Sequence, residues 1–264
     1  MSSQSPSPNK VVIVTGGSQG VGLGISQAFL ATGAAVVSCA RKPFDACPAA
    51  RTDDERARSM HVQADIRDDA QIDRVLEQTL ARFGRLDVLV NNAGGQFPQA
   101  SLDLSDKGWR AVVDTNLNGT WTMMQRAARA WQRGARGGSI VNIVAPYRRG
   151  MYGLAHTVAA RAAVAHLAQN LAVEWAPLGI RINCVLPGPI ATEGLAVYAD
   201  DARAALAKSN PMHRLGDVQD VAEACVYLSA PSGKFVTGEI LVVDGGHQLR
   251  GDLWMAGRPA WFAD

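Results

Sequence analysis

Val11-Val-Ile-Val14 runs directly into Thr15-Gly-Gly-Ser-Gln-Gly-Val-Gly22, and a helical pattern follows as far as Ala31. A short continuous apolar run is typical of a strand buried on both faces of a parallel sheet. The small residues after it let a phosphate approach the backbone, and amides at a helix N-terminus then face the anion. Because the turn lies between a strand and a helix, we predict that it binds a dinucleotide pyrophosphate. A tight turn whose glycines serve only packing is the alternative.

The rest of the chain repeats this alternation of short apolar runs with longer helical patterns. Such an order predicts parallel strand pairing with right-handed crossovers. We therefore predict an α/β fold, a single doubly wound Rossmann domain whose seven-stranded parallel sheet has helices on both faces. The further predicted strands are 35–39, 60–64, 86–90, 139–144, 180–185 and 239–243, and the further helices are 69–83, 109–131 (one or two helices), 158–175, 195–209 and 218–228.

Three ranges follow from this organisation. Residues 1–10 are polar and predict a flexible N-terminal tail, 11–248 form the domain, and 249–264 are a C-terminal extension of it. The extension carries Trp254, Trp261 and Phe262, and aromatics of that kind indicate a subunit interface or a pocket edge.

Composition limits the classes of function. The 264 residues are 47% hydrophobic with a net charge of +2, which argues against a nucleic-acid-binding protein. We see neither an apolar run of the ~18 residues that a membrane span needs nor a secretory signal. The four cysteines have no metal-ligand spacing, so we predict no metal site and a reducing cytoplasm.

The charge after the second predicted strand bears on the cofactor. That strand ends at Ala40-Arg41-Lys42, without the carboxylate that would bind the ribose 2′-hydroxyl of NAD. Two cations at this point favour the 2′-phosphate of NADP(H). A solvated basic pair on a loop is the alternative.

Further motifs follow in order along the chain: Asn91-Asn-Ala-Gly94, Asn116 in Thr-Asn-Leu-Asn-Gly-Thr, Pro187-Gly-Pro-Ile-Ala-Thr192 and Val243-Asp-Gly-Gly246. Together with the Thr-Gly-x-x-x-Gly-x-Gly spacing they resemble the short-chain dehydrogenase/reductase family over roughly residues 10–248. The resemblance implies a homotetramer in which two long helices pack across subunits. It also implies cofactor contacts from Gly16, Ser18, Gln19, Gly20, Val21, Gly22, Arg41, Lys42, Asp65, Ile66, Asn92, Ala93, Gly94, Arg161, Pro187, Gly188 and Ile190, with Asp65 and Ile66 at the adenine edge.

The usual catalytic positions of that family are changed here. Most members carry Tyr-x-x-x-Lys at the start of the long helix, where the Lys lowers the Tyr pKa for proton exchange with a substrate oxygen. This chain has Thr157 and Arg161 at those positions, and Val144 or Ala145 replaces the usual Ser. Arg161 keeps a positive charge but does not release a proton near pH 7. Of the four usual residues, only Asn116 remains.

Residues 91–97, 107–120 and 155–164 resemble one subgroup, which contains peroxisomal trans-2-enoyl-CoA reductases, 2,4-dienoyl-CoA reductases and citronellol dehydrogenases. In dienoyl-CoA reductases a tyrosine follows the fifth strand, and here Tyr147 lies there, 14 residues before Arg161. The resemblance therefore implies Asn116, Tyr147, Thr157 and Arg161 as catalytic residues, with Tyr147 as the proton donor. A loop aromatic that packs over the site is the alternative, and Tyr152 is a second candidate.

The resulting hypothesis is an NADPH-dependent reductase acting on an enoyl thioester, an acyl-CoA. The enolate that develops in such a reaction needs hydrogen-bond donors more than a strong acid. Arg148 and Arg149 are candidates for the CoA phosphates, although a solvated pair is the alternative. The segment between Pro187 and Gly216 is predicted to cover the substrate. Two other functions stay open: an alcohol or aldehyde dehydrogenase, and a nucleotide-binding protein without turnover.

Overall fold

The computed structural model describes residues 10–148 and 150–249. Their strands form one seven-stranded sheet with the order β3-β2-β1-β4-β5-β6-β7, and every neighbouring pair is parallel. The predicted fold class is therefore confirmed. The strands are β1 (Val11–Thr15), β2 (Ala35–Ala40), β3 (Ser59–Gln63), β4 (Val88–Asn91), β5 (Gly138–Ile143), β6 (Ile180–Pro187) and β7 (Ile240–Val243).

Helices cover both faces of this sheet. One hydrophobic cluster joins the sheet to Ile25 of α1 and Val221 of α8, and another joins it to Ile72 of α3, Met123 of α5 and Val164 of α6. Every residue of β1 is buried, because helices cover both faces of the sheet at this strand. The α-helices are α1 (Gly20–Ala31), α2 (Asp53–Ala57), α3 (Asp69–Phe83), α4 (Asp106–Val113), α5 (Thr120–Arg133), α6 (Ala155–Glu174), α7 (Asp200–Leu206) and α8 (Val218–Ser229).

Shorter turns join these elements. A π-helical turn, Asp114–Gly119, connects α4 to α5, so the predicted region 109–131 is helical throughout but not regular. The 3-10 helices are Ser101–Asp103, Ala176–Leu178, Glu193–Val197, Ala207–Ser209, Pro231–Gly233 and His247–Leu249.

The prediction of one helix over 195–209 is wrong. The segment contains two 3-10 turns around α7, because Tyr198 and Ala199 adopt extended backbone that no helix can continue through. The sequence interpretation also missed α2, although Thr52 and Glu55 form a capping box there. The aromatic residues Trp254, Trp261 and Phe262 lie outside the described residues, as do Arg149 and most of the predicted N-terminal tail.

Strand order reverses between β1 and β4, and the sequence order of the strands runs outward from that pair in both directions. In doubly wound sheets ligands bind at such a switch point, beyond the carboxyl ends of the strands. All four cysteines are free and buried. Among residues 10–148 and 150–249, none of the helices is both long and apolar enough to cross a membrane.

Candidate active site

A cavity of about 1070 Å³ opens beyond the carboxyl ends of β1, β2, β3 and β4. This is the position that the reversal of strand order predicts for a nucleotide. The cavity contains most of the residues expected at the cofactor: Gly16, Ser18, Gln19, Gly20, Val21, Gly22, Arg41, Lys42, Asp65, Ile66, Asn92, Ala93 and Gly94. Its lining also includes Gly95, Gln96, Phe97 and Thr192, which sequence reasoning did not assign to the cofactor.

The glycine-rich turn is closely packed and fits a phosphate group. A Cβ added to Gly22 would lie 2.2 Å from the carbonyl oxygen of Gly16, and Gly16 itself has φ +64°. The side chain of Asn92 donates to the carbonyl oxygens of Thr15 and Gly16 at 3.0 and 3.3 Å. No side chain caps the N-terminus of α1 at Gln19. Its first amides are therefore open to an anion, as dinucleotide binding requires.

The far end of the cavity is positively charged. Arg41 and Lys42 line it directly after β2, and both side chains are exposed. Asp65 is engaged by Arg67, whose Nε donates to Oδ1 at 2.9 Å. The side-chain hydrogen bond from Arg67 holds the pKa of Asp65 below its usual range. The negative charge of Asp65 is thus paired with Arg67, whereas Arg41 and Lys42 remain available to a phosphate.

Asn116 connects the cavity wall to the start of α6. It is buried in the π-helical turn, and its Oδ1 accepts from the Gly95 amide at 2.9 Å. Its Nδ2 donates to the Gly95 carbonyl at 3.0 Å and to Thr157 Oγ1 at 2.9 Å. Such π-helical turns are frequent at functional sites because they redirect side chains. The structure therefore brings two of the predicted catalytic residues into direct contact.

Arg161 lies one turn further along α6 and is only 6% exposed. Its Nη2 donates to the Ala93 carbonyl at 3.2 Å, and its Nη1 has no hydrogen-bond partner among the described residues. Burial lowers the pKa of Arg161 to about 10, so the guanidinium is still charged at pH 7. A Cβ on Gly94 would lie 2.0 Å from Nη2, so the guanidinium would have to shift if an alanine replaced this glycine. A buried cation with an unpaired N–H suits a ribose hydroxyl or a developing negative charge.

The two tyrosine candidates differ in burial. Tyr147 follows β5, is half-buried, and packs against the hydrophobic cluster on the side of α3, α5 and α6. Among the described residues its hydroxyl has no hydrogen-bond partner, so no direct link joins it to Thr157 or Arg161. Tyr152 is 94% exposed. Both the proton-donor role and the packing role therefore stay open for Tyr147.

Sequence reasoning missed a third phenol at this site. Gln96, which lines the cavity, donates from Nε2 to the Tyr198 hydroxyl at 2.7 Å. Burial raises the pKa of Tyr198, and the hydrogen bond from Gln96 opposes that effect. The two residues are 102 positions apart, so no local pattern could have signalled their contact.

The remaining predicted cofactor residues follow β6. Gly188 and Ile190 line a second cavity of about 490 Å³, together with Arg148 and Asp244. Pro187 ends β6 and lines neither cavity. Thr192, Glu193 and Gly194 then return to the first cavity. The segment after β6 thus contributes residues to both cavities.

Within the part of the chain that the structure describes, no cluster of three or more His, Cys, Asp or Glu residues is arranged to hold a metal ion. The site offers backbone amides, amide side chains, hydroxyl groups and a buried guanidinium. Such a set can bind a dinucleotide and stabilise negative charge on oxygen.

Comparison with known proteins finds relatives that match along most of the chain. The family model described as enoyl-(acyl carrier protein) reductase matches residues 16–248. A peroxisomal 2,4-dienoyl-CoA reductase from Arabidopsis thaliana is 37% identical, over 94% of this chain and 85% of that protein. A probable 2,4-dienoyl-CoA reductase from Bacillus subtilis is 34% identical, over 91% of this chain and 97% of that protein.

Two further relatives broaden the comparison. A 3-oxoacyl-[acyl-carrier-protein] reductase from Escherichia coli is 34% identical, over 90% of this chain and 96% of that protein. The crystal structure of a short chain dehydrogenase from Bacillus anthracis superposes with a TM-score of 0.82 and 35% identity, over 91% of this chain and 97% of that chain. With its parallel sheet, its glycine-rich turn and these matches along nearly its whole length, the chain belongs to the short-chain dehydrogenase/reductase family.

Proposed function

We propose that this oxidoreductase uses NADPH to reduce the carbon–carbon double bond of an enoyl thioester, an enoyl- or dienoyl-CoA. One observation carries the proposal: the Thr157 hydroxyl, which we align with the phenol of the family, accepts a hydrogen bond from Asn116 one helical turn before the buried Arg161. The relatives named 2,4-dienoyl-CoA reductases support the substrate class.

The Thr157 hydroxyl is suited to bind an oxygen rather than to protonate one. Asn116 Nδ2 donates to Thr157 Oγ1, so the hydroxyl hydrogen is left to donate to a further acceptor. A threonine hydroxyl is too weak an acid to protonate the alkoxide formed in carbonyl reduction. A thioester enolate needs only hydrogen-bond donors while the α-carbon takes the proton. Thr157 therefore favours double-bond reduction over carbonyl reduction.

Arg161 is the second element of the proposed site. When bound, NADPH would supply the hydride, to the β-carbon of an enoyl thioester or to the δ-carbon of a 2,4-dienoyl thioester. The unpaired Nη1 of Arg161 would donate to the ribose hydroxyls of the cofactor, and its charge would stabilise the negative charge on the thioester oxygen. The guanidinium stays protonated throughout, because even its lowered pKa lies near 10.

Tyr147 is the proposed source of the α-carbon proton. Its half-buried position after β5 is on the same sheet edge as both cavities. In this role its phenol releases a proton to the α-carbon and recovers one from water. If Tyr147 serves packing instead, water donates to the α-carbon directly.

Cofactor choice is the second part of the proposal. Arg41 and Lys42 are the cations for the 2′-phosphate of NADP(H), and Asp65 is held by Arg67 rather than placed to repel that phosphate. We also keep as predictions the homotetramer and the reducing cytoplasmic location. The four free, buried thiols are compatible with a reducing compartment.

Carbonyl reduction is the second candidate, because the Escherichia coli relative is named a 3-oxoacyl reductase. It requires a phenol that reaches the substrate oxygen, and Tyr198 beside Gln96 is a described phenol at the cavity. This candidate includes the alcohol and aldehyde substrates suggested by the sequence.

One assay separates these functions. We would follow the absorbance of NADPH with the purified protein and, in parallel, an enoyl-CoA, a dienoyl-CoA, a 3-oxoacyl-CoA and citronellal. We expect NADPH oxidation with an unsaturated thioester, strongly reduced in Tyr147→Phe, and much slower oxidation with NADH. Turnover of only the 3-oxoacyl-CoA or of citronellal would replace the proposal with carbonyl reduction. Binding of NADPH without turnover of any substrate would favour the non-catalytic function.

A further inference from the structure

Two side chains of β3 hold the backbone that carries Arg41 and Lys42. Gln63 Nε2 donates to the Arg41 carbonyl at 3.0 Å, and His61 Nε2 lies 3.0 Å from the Lys42 carbonyl. His61 and Gln63 are two residues apart on one strand, so they project from the same face of the sheet. β3 pairs with β2 in a register that places Gln63 beside Ala40, directly before the two cations.

The partners of His61 determine its protonation state. A carbonyl oxygen only accepts, so His61 Nε2 carries the hydrogen, and in the neutral ring Nδ1 then accepts. The Ser38 hydroxyl therefore donates to Nδ1 across 2.8 Å, and its oxygen is left to accept from Cys47 Sγ at 3.6 Å. Burial lowers the pKa of His61, which keeps this neutral form at pH 7. A chain of hydrogen bonds thus ties both ends of segment 42–47 to the sheet.

His61 also helps to direct the Lys42 side chain. The Phe44 ring packs edge-on against the His61 ring, with 5.1 Å between centroids. The Lys42 ammonium lies 5.3 Å from the centroid of the same Phe44 ring. A cation over an aromatic face is attracted to it, so Phe44 restricts where Lys42 can point.

We propose that His61 and Gln63 are positioning residues for the 2′-phosphate of NADP(H), which hold the Arg41–Lys42 backbone so that both cations face the end of the cavity. The inference rests on the proposed use of NADP(H). Long cationic side chains lose conformational freedom when they bind a phosphate. When the backbone is already fixed, less conformational entropy is lost as the two cations bind the 2′-phosphate. The phosphorylated cofactor is therefore favoured.

The test compares two ligands, adenosine 2′,5′-bisphosphate and adenosine 5′-monophosphate, which differ only in the 2′-phosphate. Their dissociation constants would be measured by calorimetry for wild type, Gln63→Met, His61→Leu and His61→Gln. Gln63→Met keeps the chain length but removes the donor, whereas His61→Gln keeps a donor that can reach the Lys42 carbonyl. Gln219→Met, on the exposed face of α8, is the matched control.

We expect Gln63→Met and His61→Leu to weaken bisphosphate binding roughly 3- to 10-fold each, the effect of losing one hydrogen bond, with monophosphate binding within about twofold. His61→Gln should restore most of the loss, and Gln219→Met should change neither constant. A stability defect alone would weaken both ligands together and would not be rescued by glutamine.

Three results would overturn the inference, and they are distinguishable. A wild-type protein that binds both ligands equally would remove the proposed NADP(H) preference, and the positioning role with it. A wild-type preference that survives in Gln63→Met and His61→Leu would leave NADP(H) in place and refute the positioning role alone. Equal weakening of both ligands would also refute it. If His61→Leu does not fold, the exposed Gln63 provides the test by itself.

Discussion

Asn116 Nδ2 donates to the hydroxyl oxygen of Thr157 across 2.9 Å, while Asn116 Oδ1 accepts from the amide of Gly95. The Asn116 side chain thus joins the π-helical turn, the cavity wall and α6 at one point. Because Thr157 receives this hydrogen bond, its own hydrogen is oriented away from Asn116 and toward another acceptor. The contact fixes the Thr157 hydroxyl beside Asn116 at the start of α6.

Removing the Thr157 hydroxyl should impair catalysis more than binding. Thr157→Val keeps the shape of the side chain but deletes the proposed donor to the thioester oxygen. We expect kcat to fall roughly 100-fold, the size seen when one oxyanion donor is lost, and Thr157→Ser to stay within about tenfold of wild type. The measurement is steady-state NADPH oxidation with an unsaturated CoA thioester. An unchanged kcat in Thr157→Val would exclude the hydroxyl from the reaction.

Asn116→Ala should reduce both activity and stability. It leaves the buried Thr157 hydroxyl without its donor and the Gly95 amide without its acceptor, at a cost of about 1–3 kcal/mol. Asn118→Ala, in the same π-helical turn but exposed, is the control and should change stability by less than about 0.5 kcal/mol. Urea unfolding and the turnover assay check both effects. Similar losses in the two variants would indicate damage to the turn itself.

Two adjacent glycines should respond very differently to a methyl group. In Gly94→Ala the new Cβ would lie 2.0 Å from Arg161 Nη2 and 3.0 Å from Asn116 Oδ1, whereas at Gly95 it would meet nothing within 4 Å. Overpacking of this kind costs about 1–3 kcal/mol, so we expect Gly94→Ala to weaken NADPH binding at least about tenfold. Gly95→Ala should bind NADPH nearly as wild type does. Fluorescence titration of NADPH compares the two, and equal affinities would contradict the packing of Arg161 on Gly94.

The buried thiols should make the protein less stable at alkaline pH. Burial raises the pKa of Cys39 and Cys184 to about 12, from the ordinary value of 9.0. Between these values the unfolded chain releases protons that the folded protein keeps, so unfolding becomes easier as pH rises. The loss for one thiol is at most about 1.4 kcal/mol per pH unit.

Urea unfolding under reducing conditions at pH 7.5 and pH 10 measures this effect. Cys39→Ala should show a smaller decrease in unfolding free energy than wild type over that interval. In the folded protein at pH 8, a thiol reagent should react slowly with all four cysteines, and in urea quickly. Rapid reaction of the folded protein would contradict the burial of the thiols.

Local sequence patterns were sufficient for the sheet. Each predicted strand agrees with the structure to within two residues at either end, from 11–14 against Val11–Thr15 to 239–243 against Ile240–Val243. Continuous apolar runs and glycine-rich turns report directly on burial and backbone conformation, so neighbours in sequence carry the information. The capping box at Thr52 was a signal of the same local kind that sequence reasoning overlooked.

The conformation of the segment after β6 was not predictable in the same way. Composition favoured one helix over 195–209, but Tyr198 is extended there and its hydroxyl is bound to Gln96. The π-helical turn at Asp114–Gly119 likewise has no periodic signal, since one extra residue per turn leaves a helical pattern almost unchanged. Contacts made across the fold decide such irregular segments, and propensity does not.

The sequence was enough to predict the parallel sheet and to point to the glycine-rich turn at Gly16–Gly22, the basic pair at Arg41 and Lys42, and Thr157 and Arg161 as candidate site residues. Those features depend on residue type and on near neighbours. Only tertiary structure joined Asn116 to Thr157, 41 residues away, and Arg161 to Ala93, 68 residues away. Parallel strands have their carboxyl ends at one edge of the sheet, so residues far apart in the chain meet there. Their burial and hydrogen bonds arise only once the sheet has formed, which is why candidate residues of the site could be listed from the sequence but their geometry could not.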